Sequence, residues 1–326
     1  MDPPGSVPPA WKAHVWFPTS PLKAVAAKAP GMSVKFASGA DPAATAALAK
    51  QSDVAIVFVH QWTSEDFDLP SLSLPDNQDA MIDQVASANP RTIVVIESGT
   101  AVTMPWIDKV SGVLEAWYAG SKGADAVANI LFGDVNPSGK SPMTFPRSEA
   151  DLPHPHEVIP TPSQLGKAAV MASGEAKPTF EVHYDEGLKV GYKWYDAEKK
   201  PVLFPFGFGL SYTSYAYSGL KVKPGKEKTT VTFTVKNTGS RAGAEVAQIY
   251  AALPAEAAEP PKRLVGFSKV RLEPGESKEV MVDVDGSYLS IFDEGSESWK
   301  LVPGAYSFMV GGSSQDLPLV EKVTLK

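Results

Sequence analysis

The sequence contains no cysteine among its 326 residues. That absence excludes disulfides, thiolate metal centres and a cysteine nucleophile, and it leaves no trace of the redox compartment. Positive charge is outnumbered: 30 Lys and Arg stand against 37 Asp and Glu, giving a formal charge of −7 and a pI near 5.4. No Lys/Arg stripe forms anywhere, which argues against a nucleic-acid partner and favours a neutral or weakly polar ligand. No apolar run approaches the roughly 20 residues that span a bilayer, so no membrane partner is expected. The start, Met1-Asp-Pro-Pro-Gly-Ser-Val-Pro-Pro, lacks the basic and apolar regions of a signal peptide. A phosphate-cradling glycine loop is absent too, because Gly207-Phe-Gly209 neither follows a buried strand nor opens a helix. His154, His156 and His183 lie in a Pro-rich stretch without helical spacing, so no metal site is expected.

What is present is organised around Val54-Ala-Ile-Val-Phe-Val-His60. A short apolar run rich in β-branched residues fits a strand buried on both faces in a parallel sheet. The connection that follows carries Trp62, Glu65, Asp66 and Asp68, at the strand end where open α/β sheets present functional loops. A tryptophan beside carboxylates suits sugar chemistry: the ring stacks on the apolar face of a pyranose while a carboxyl group gives or takes a proton. The same composition also fits a solvated acidic loop. Around this stretch the pattern predicts helices over residues 22–29 and 41–50 and a short strand over 33–37. It continues with a helix after Pro75-Asp76, strands at 92–96 and 112–117, a short helix over 105–110 and another over 124–132. Strands alternating with helices at this spacing give βαβ units with right-handed crossovers.

Residues 150–180 are Pro/His/Ala-rich with no clear period, a loop or insertion. The alternating aromatics of residues 180–195 predict a hairpin, and the aromatic run 204–217 a packed junction. Beyond residue 217 the period changes to two. Thr229-Thr-Val-Thr-Phe-Thr-Val235 alternates strictly, the turns Asn237-Thr-Gly239 and Pro274-Gly275 punctuate further alternating runs, and residues 299–302 and 305–310 predict a last hairpin. About seven short strands at such spacing make a β-sandwich of roughly 110 residues.

Several fragments in this order resemble the carboxyl-terminal half of a family-three glycoside hydrolase, the β-glucosidase and β-xylosidase family. Ser64-Glu65-Asp-Phe-Asp68 with Leu72-Ser-Leu-Pro75 resembles its Glu-Gly-x-Asp-Arg-x-x-Leu-x-Leu-Pro loop. The likeness continues through Ala88-Asn-Pro90, Met104-Pro-Trp106, Ala116-Trp-Tyr118, Phe132-Gly-Asp-Val-Asn-Pro-Ser-Gly139 and Thr144-Phe-Pro146. It resumes at Glu186-Gly-Leu-Lys-Val-Gly-Tyr192 and Phe204-Pro-Phe-Gly-Phe-Gly-Leu-Ser-Tyr-Thr213. The expected fold is therefore α/β plus all-β. Residues 1–214 form a three-layer α/β/α sandwich with a mostly parallel sheet, truncated at its start, and residues 215–326 a fibronectin-III-like β-sandwich.

The resemblance implies hydrolysis of terminal non-reducing β-D-glucosyl or related residues by a retaining two-carboxylate mechanism. Glu65 takes the place of the acid/base. Asp66 stands where the family has glycine and Leu69 where it has arginine, so Asp68, a candidate substrate-binding residue with Trp62, loses an orienting partner and is expected to support the loop rather than react. Trp62 either lines the sugar site or packs the loop. His60 is expected to be structural, and Trp106, Trp117 and Tyr118 to fill the core. Asp134, Asn136 and Ser138 are expected to bond their own backbone. Nothing matches the family's amino-terminal β/α barrel, which carries the nucleophile. The implied partners are a β-glucoside or oligosaccharide and a separate barrel chain, or self-association through an exposed sheet edge; no cofactor is implied. The alternative is a carbohydrate-binding or assembly subunit without catalysis. Periplasm or secretion is favoured over cytoplasm.

Overall fold

The computed structural model describes residues 19–63, 69–155, 183–225 and 227–326. They fall into two compact units, one reaching to Val135, the other comprising Asn136–Pro155 and the chain from residue 183 onward.

In the first unit, prolines set two helix starts. Pro21 opens α1 (Pro21–Lys28) behind the N-cap Ser20, and Pro42 opens α2 (Pro42–Lys50) behind Asp41, whose carboxylate accepts from Ala44 N. A proline at N1 has its φ preset and has no N–H to leave unpaired, so both starts are legible in the sequence. Strands β1 (Ala55–His60), β2 (Thr92–Glu97) and β3 (Gly112–Glu115) pair in parallel in the order β1-β2-β3. β2, the central strand, is the most buried: Val94, Val95 and Ile96 have no exposed surface. Helix α3 (Gln78–Ala88) joins β1 to β2 and packs on α2, while α4 (Gly123–Leu131) follows β3 and packs on α1. Asn89 ends α3 and donates to both Ala49 O and Ser52 O, tying the end of α2 to the start of β2.

Residues 33–37 form no strand. Met32, Val34 and Phe36 are exposed, and among the described residues β1 pairs only with β2. An alternating pattern supplies the faces of a strand, but the ladder needs a neighbour as well.

The second unit carries a short antiparallel pair, β4 (Phe145–Pro146) with β5 (Val202–Phe204), and is built on the sandwich. One sheet has the order β10-β7-β6 (Ser277–Asp285, Lys228–Asn237, Tyr215–Pro224) and the other β14-β13-β8-β9 (Leu319–Leu325, Gly304–Gly311, Gly243–Ala252, Arg263–Leu272). Alternate residues of both sheets meet in one core that includes Val231, Phe233, Val235, Ile249, Tyr306 and Phe308. The expected hairpin between residues 299–302 and 305–310 does not form. β12 (Ser298–Leu301) pairs instead with β11 (Ser290–Asp293), because both edges of β13 are taken by β8 and β14.

The segments before the sandwich are stitched onto it by side chains. Asn136 does not bond its own backbone as expected. It donates to Ala242 O at 3.0 Å and accepts from Tyr212 N at 2.7 Å and Ser211 Oγ at 2.9 Å. Lys140 reaches Glu245 at 3.1 Å, and Glu245 also accepts from the Tyr217 hydroxyl at 2.7 Å. Residues 192–197 form a helix, not the expected hairpin arm. Gly191, at φ 59, turns the chain into it, Tyr192 stacks on Phe206, and the Trp194 indole donates to Asp151 O. Tyr192 and Tyr195, three residues apart, carry the helical spacing within a run whose Tyr192 and Trp194 also fit alternation. Gly209 admits the close approach of this segment: a Cβ there would lie 2.1 Å from Gly139 O.

The Lys140–Glu245 pair is largely buried, with 13% and 6% of the two side chains exposed. Lys140→Met leaves Glu245 without its counter-charge and is expected to destabilise the second unit by about 3–5 kcal/mol in urea unfolding. Pairing it with Glu245→Leu should recover much of that loss. Equal loss in both variants would show that the pair does not act through its charge.

Candidate functional site

A parallel sheet aligns the carboxyl ends of its strands along one edge, and here the residues beyond those ends interlock. The register sets His60 against Glu97 and Ile96 against Glu115. The residues that follow, Gln61–Thr63, Ser98–Thr100 and Ala116–Tyr118, therefore form one row.

Glu65, Asp66 and Asp68 lie outside the described residues; Trp62 is described and 43% exposed. On both sides of that stretch the backbone is tied down. On the incoming side, Gln78 at the head of α3 binds His60 twice, accepting from its N–H at 2.9 Å and donating to its carbonyl at 2.8 Å. His60 is thus held through its backbone, in keeping with a structural role. On the outgoing side, Leu72 O accepts from Thr103 N at 2.9 Å, and Leu74 N donates to Asp79 at 3.3 Å. The other oxygen of Asp79 accepts from the Trp106 indole at 2.7 Å, with Trp106 buried as expected. Burial raises the Asp79 pKa despite these two bonds.

Tyr118 departs from its expected place in the core: it is 53% exposed. Its hydroxyl donates to Gln61 O at 2.5 Å, accepts from Thr63 N at 3.0 Å and lies 2.9 Å from Thr63 Oγ1. The sequence marks Tyr118 only as part of a core motif, and Gln78, Asp79, Gly99 and Glu115 not at all. An exposed tyrosine has no periodic signature, and a bond to backbone 57 residues away leaves none either.

Glu115 ends β3 in a dry position. One carboxylate oxygen accepts from Trp117 N at 3.0 Å and faces Ser98 Oγ at 3.4 Å, while Oε2 has no partner among the described residues. Burial pushes its pKa up to about 7, against the lowering effect of these bonds. Gln61, 2% exposed, likewise has an Oε1 without a partner among the described residues. Of the non-glycine residues with positive φ, Trp117 lies in this row, and Asp76 and Asn77 immediately precede Gln78, which holds His60. Left-handed backbone at such residues costs energy and persists where surrounding contacts enforce it.

A carboxyl whose folded pKa exceeds its unfolded value binds its proton more tightly when folded. The stability it contributes is complete below the ordinary value of 4.5 and is lost as pH rises toward about 7. Thermal melts of the chain should therefore show the first unit weakening across that window, and Glu115→Gln should flatten the dependence. A variant that keeps the full slope would remove Glu115 as its source.

Comparison with known proteins agrees with this architecture. Residues 5–212 match the glycosyl hydrolase family 3 C-terminal domain, and residues 245–314 match a fibronectin type III-like domain. β-Glucosidase B of Emericella nidulans is 41% identical over 280 residues, 83% of this chain and 32% of its own length. Probable β-glucosidase H of Neosartorya fischeri is 37% identical over 322 residues, 92% of this chain and 36% of its own. Among solved structures, a β-glucosidase from Streptomyces venezuelae in complex with D-glucose is 40% identical with a TM-score of 0.76, covering 87% of this chain and 35% of that one. The β-D-glucoside glucohydrolase of Trichoderma reesei is 28% identical with a TM-score of 0.83, covering 94% and 45%. The chain spans about a third of the length of the curated relatives it matches. On these matches, the chain belongs to glycosyl hydrolase family 3, carrying that family's C-terminal domain followed by a fibronectin type III-like domain.

Proposed function

We propose that this chain supplies the acid/base half of a retaining β-glucoside hydrolase, with Glu65 as the acid/base. The observation that carries this reading is the treatment of the segment around Glu65. It leaves the carboxyl end of a parallel strand, its two stems are fixed by separate side chains, and an exposed tryptophan stands at its entrance. Relatives across this length are named β-glucosidases, and the substrate class follows from them: a terminal non-reducing β-D-glucosyl residue.

In such a reaction one carboxylate attacks the anomeric carbon and the C–O bond to the leaving group breaks, while Glu65 donates its proton to the departing oxygen. Glu65, now a carboxylate, takes a proton from water as the water oxygen attacks the glycosyl intermediate, and the nucleophile leaves unchanged. The nucleophile is assigned to a portion of the relatives' length that this chain does not span, as a separate β/α barrel chain would supply it. Trp62 is assigned to stacking on the sugar ring, and Asp68 to supporting the loop.

The test is hydrolysis of an aryl β-glucoside by the purified chain, alone and mixed with a separately expressed amino-terminal portion of a relative. Turnover is expected in the mixture only, falling roughly 100- to 10,000-fold in Glu65→Ala. Turnover by the chain alone that survives this substitution would overturn the assignment. Sugar binding without turnover, unchanged in Glu65→Ala, would move the chain to a carbohydrate-binding role.

A further inference from the structure

We propose that Tyr118 is a positioning residue for the segment that enters the acidic loop: its hydroxyl fixes the backbone on both sides of Trp62. The proposal rests on the assignment of Glu65 for its catalytic meaning, and on geometry alone for its structural content.

A tyrosine hydroxyl has one proton to give and two lone pairs to receive. In Tyr118 all three are used within three residues of β1's end. The proton goes to Gln61 O at 2.5 Å, and Thr63 N donates to the oxygen at 3.0 Å. With the proton so placed, the Thr63 hydroxyl at 2.9 Å is the second donor. Trp62, between the two anchored residues, has its backbone direction set by them. A single bond would leave the peptide free to swing about it; bonds before and after the residue do not.

The reach of this clamp is unusual and explains its neighbours. Tyr118 follows β3 and its target follows β1, two strand spacings away, or roughly 10 Å at about 4.8 Å each. The side chain must therefore cross the end of β2, and the residue it crosses is Gly99. A Cβ on Gly99 would lie 2.6 Å from Thr63 Oγ1 and 3.0 Å from Tyr118 Cε2. Gly99 has no positive φ, so the need for glycine there comes from this crossing and not from the backbone. At the other end, Trp117 takes a left-handed φ of 52°, and the Glu115 carboxylate accepts its N–H at 3.0 Å. That turn aims residue 118 back across the sheet. Glu115, Trp117, Gly99 and Tyr118 thus form one device whose output is the position of residues 61–63.

The test uses amide hydrogen exchange on the full chain with Tyr118→Phe, which removes only the hydroxyl, and Gly99→Ala, which obstructs the crossing from another strand. Both are expected to speed exchange at Thr63 by about tenfold, the weight of a lost hydrogen bond, while exchange in β2 holds and the melting temperature falls by no more than about 5 °C. Unchanged exchange at Thr63, or loosening spread over all three strands, would overturn the clamp. In the complemented mixture, Tyr118→Phe should slow alkyl or phenyl β-glucosides, whose leaving oxygen needs a proton, about tenfold, and leave the 2,4-dinitrophenyl β-glucoside unaffected. Equal loss on both would reduce Tyr118 to a structural role. Glu65→Ala separates the two readings: leaving-group selectivity absent there but intact exchange effects would refute the assignment of Glu65 and keep the clamp.

Discussion

The parallel pairing of three strands is the constraint on which the candidate site depends. In an antiparallel sheet successive strand ends alternate between edges; in a parallel one every carboxyl end arrives at the same edge. The in-register pairing of β1 with β2 and of β2 with β3 therefore assembles residues near 60, 98 and 116 without a loop having to wander. Side chains from α3 and from the turn after β3 then need only short reaches to hold the row. The polar groups gathered there are partly buried, and their altered proton affinities follow from that dryness more than from any charged neighbour.

Much of this was legible in the sequence. The buried β-branched runs, the Ser20-Pro21 and Asp41-Pro42 helix starts, and the change of period beyond residue 217 all carry local physical signals, and the structure places elements where those signals fall. What escaped was of another kind. Residues 33–37 have the alternation of a strand but no neighbour to pair with among the described residues, and residues 192–197 hide a helical turn inside an aromatic run. The partner of β12 was decided by the occupied edges of β13. Each of these outcomes is set by what lies beside the segment, which its own residues do not encode.

The site divides along the same line. The strand and the acidic motif after it were visible as composition and pattern. Glu65, Asp66 and Asp68 lie outside the described residues, while the supports on either side are described in full. Those supports are mostly side chain to backbone: Gln78 to His60, Asp79 to Leu74, Tyr118 to Gln61 and Thr63. Such bonds ask only for a donor or acceptor at the right point in space, so neither spacing nor residue type announces them.

The stitching of Asn136 and Lys140 onto the sandwich has a consequence for how the chain acquires its structure. Asn136 bonds a carbonyl 106 residues further along, so this contact has no local route to formation. Closing so long a loop is favourable only once β8 and its neighbours exist to receive it. The short segment that leaves α4 therefore gains these bonds only from a sandwich that is already assembled, so the order of the middle of the sequence is tied to strands that follow it by about a hundred residues.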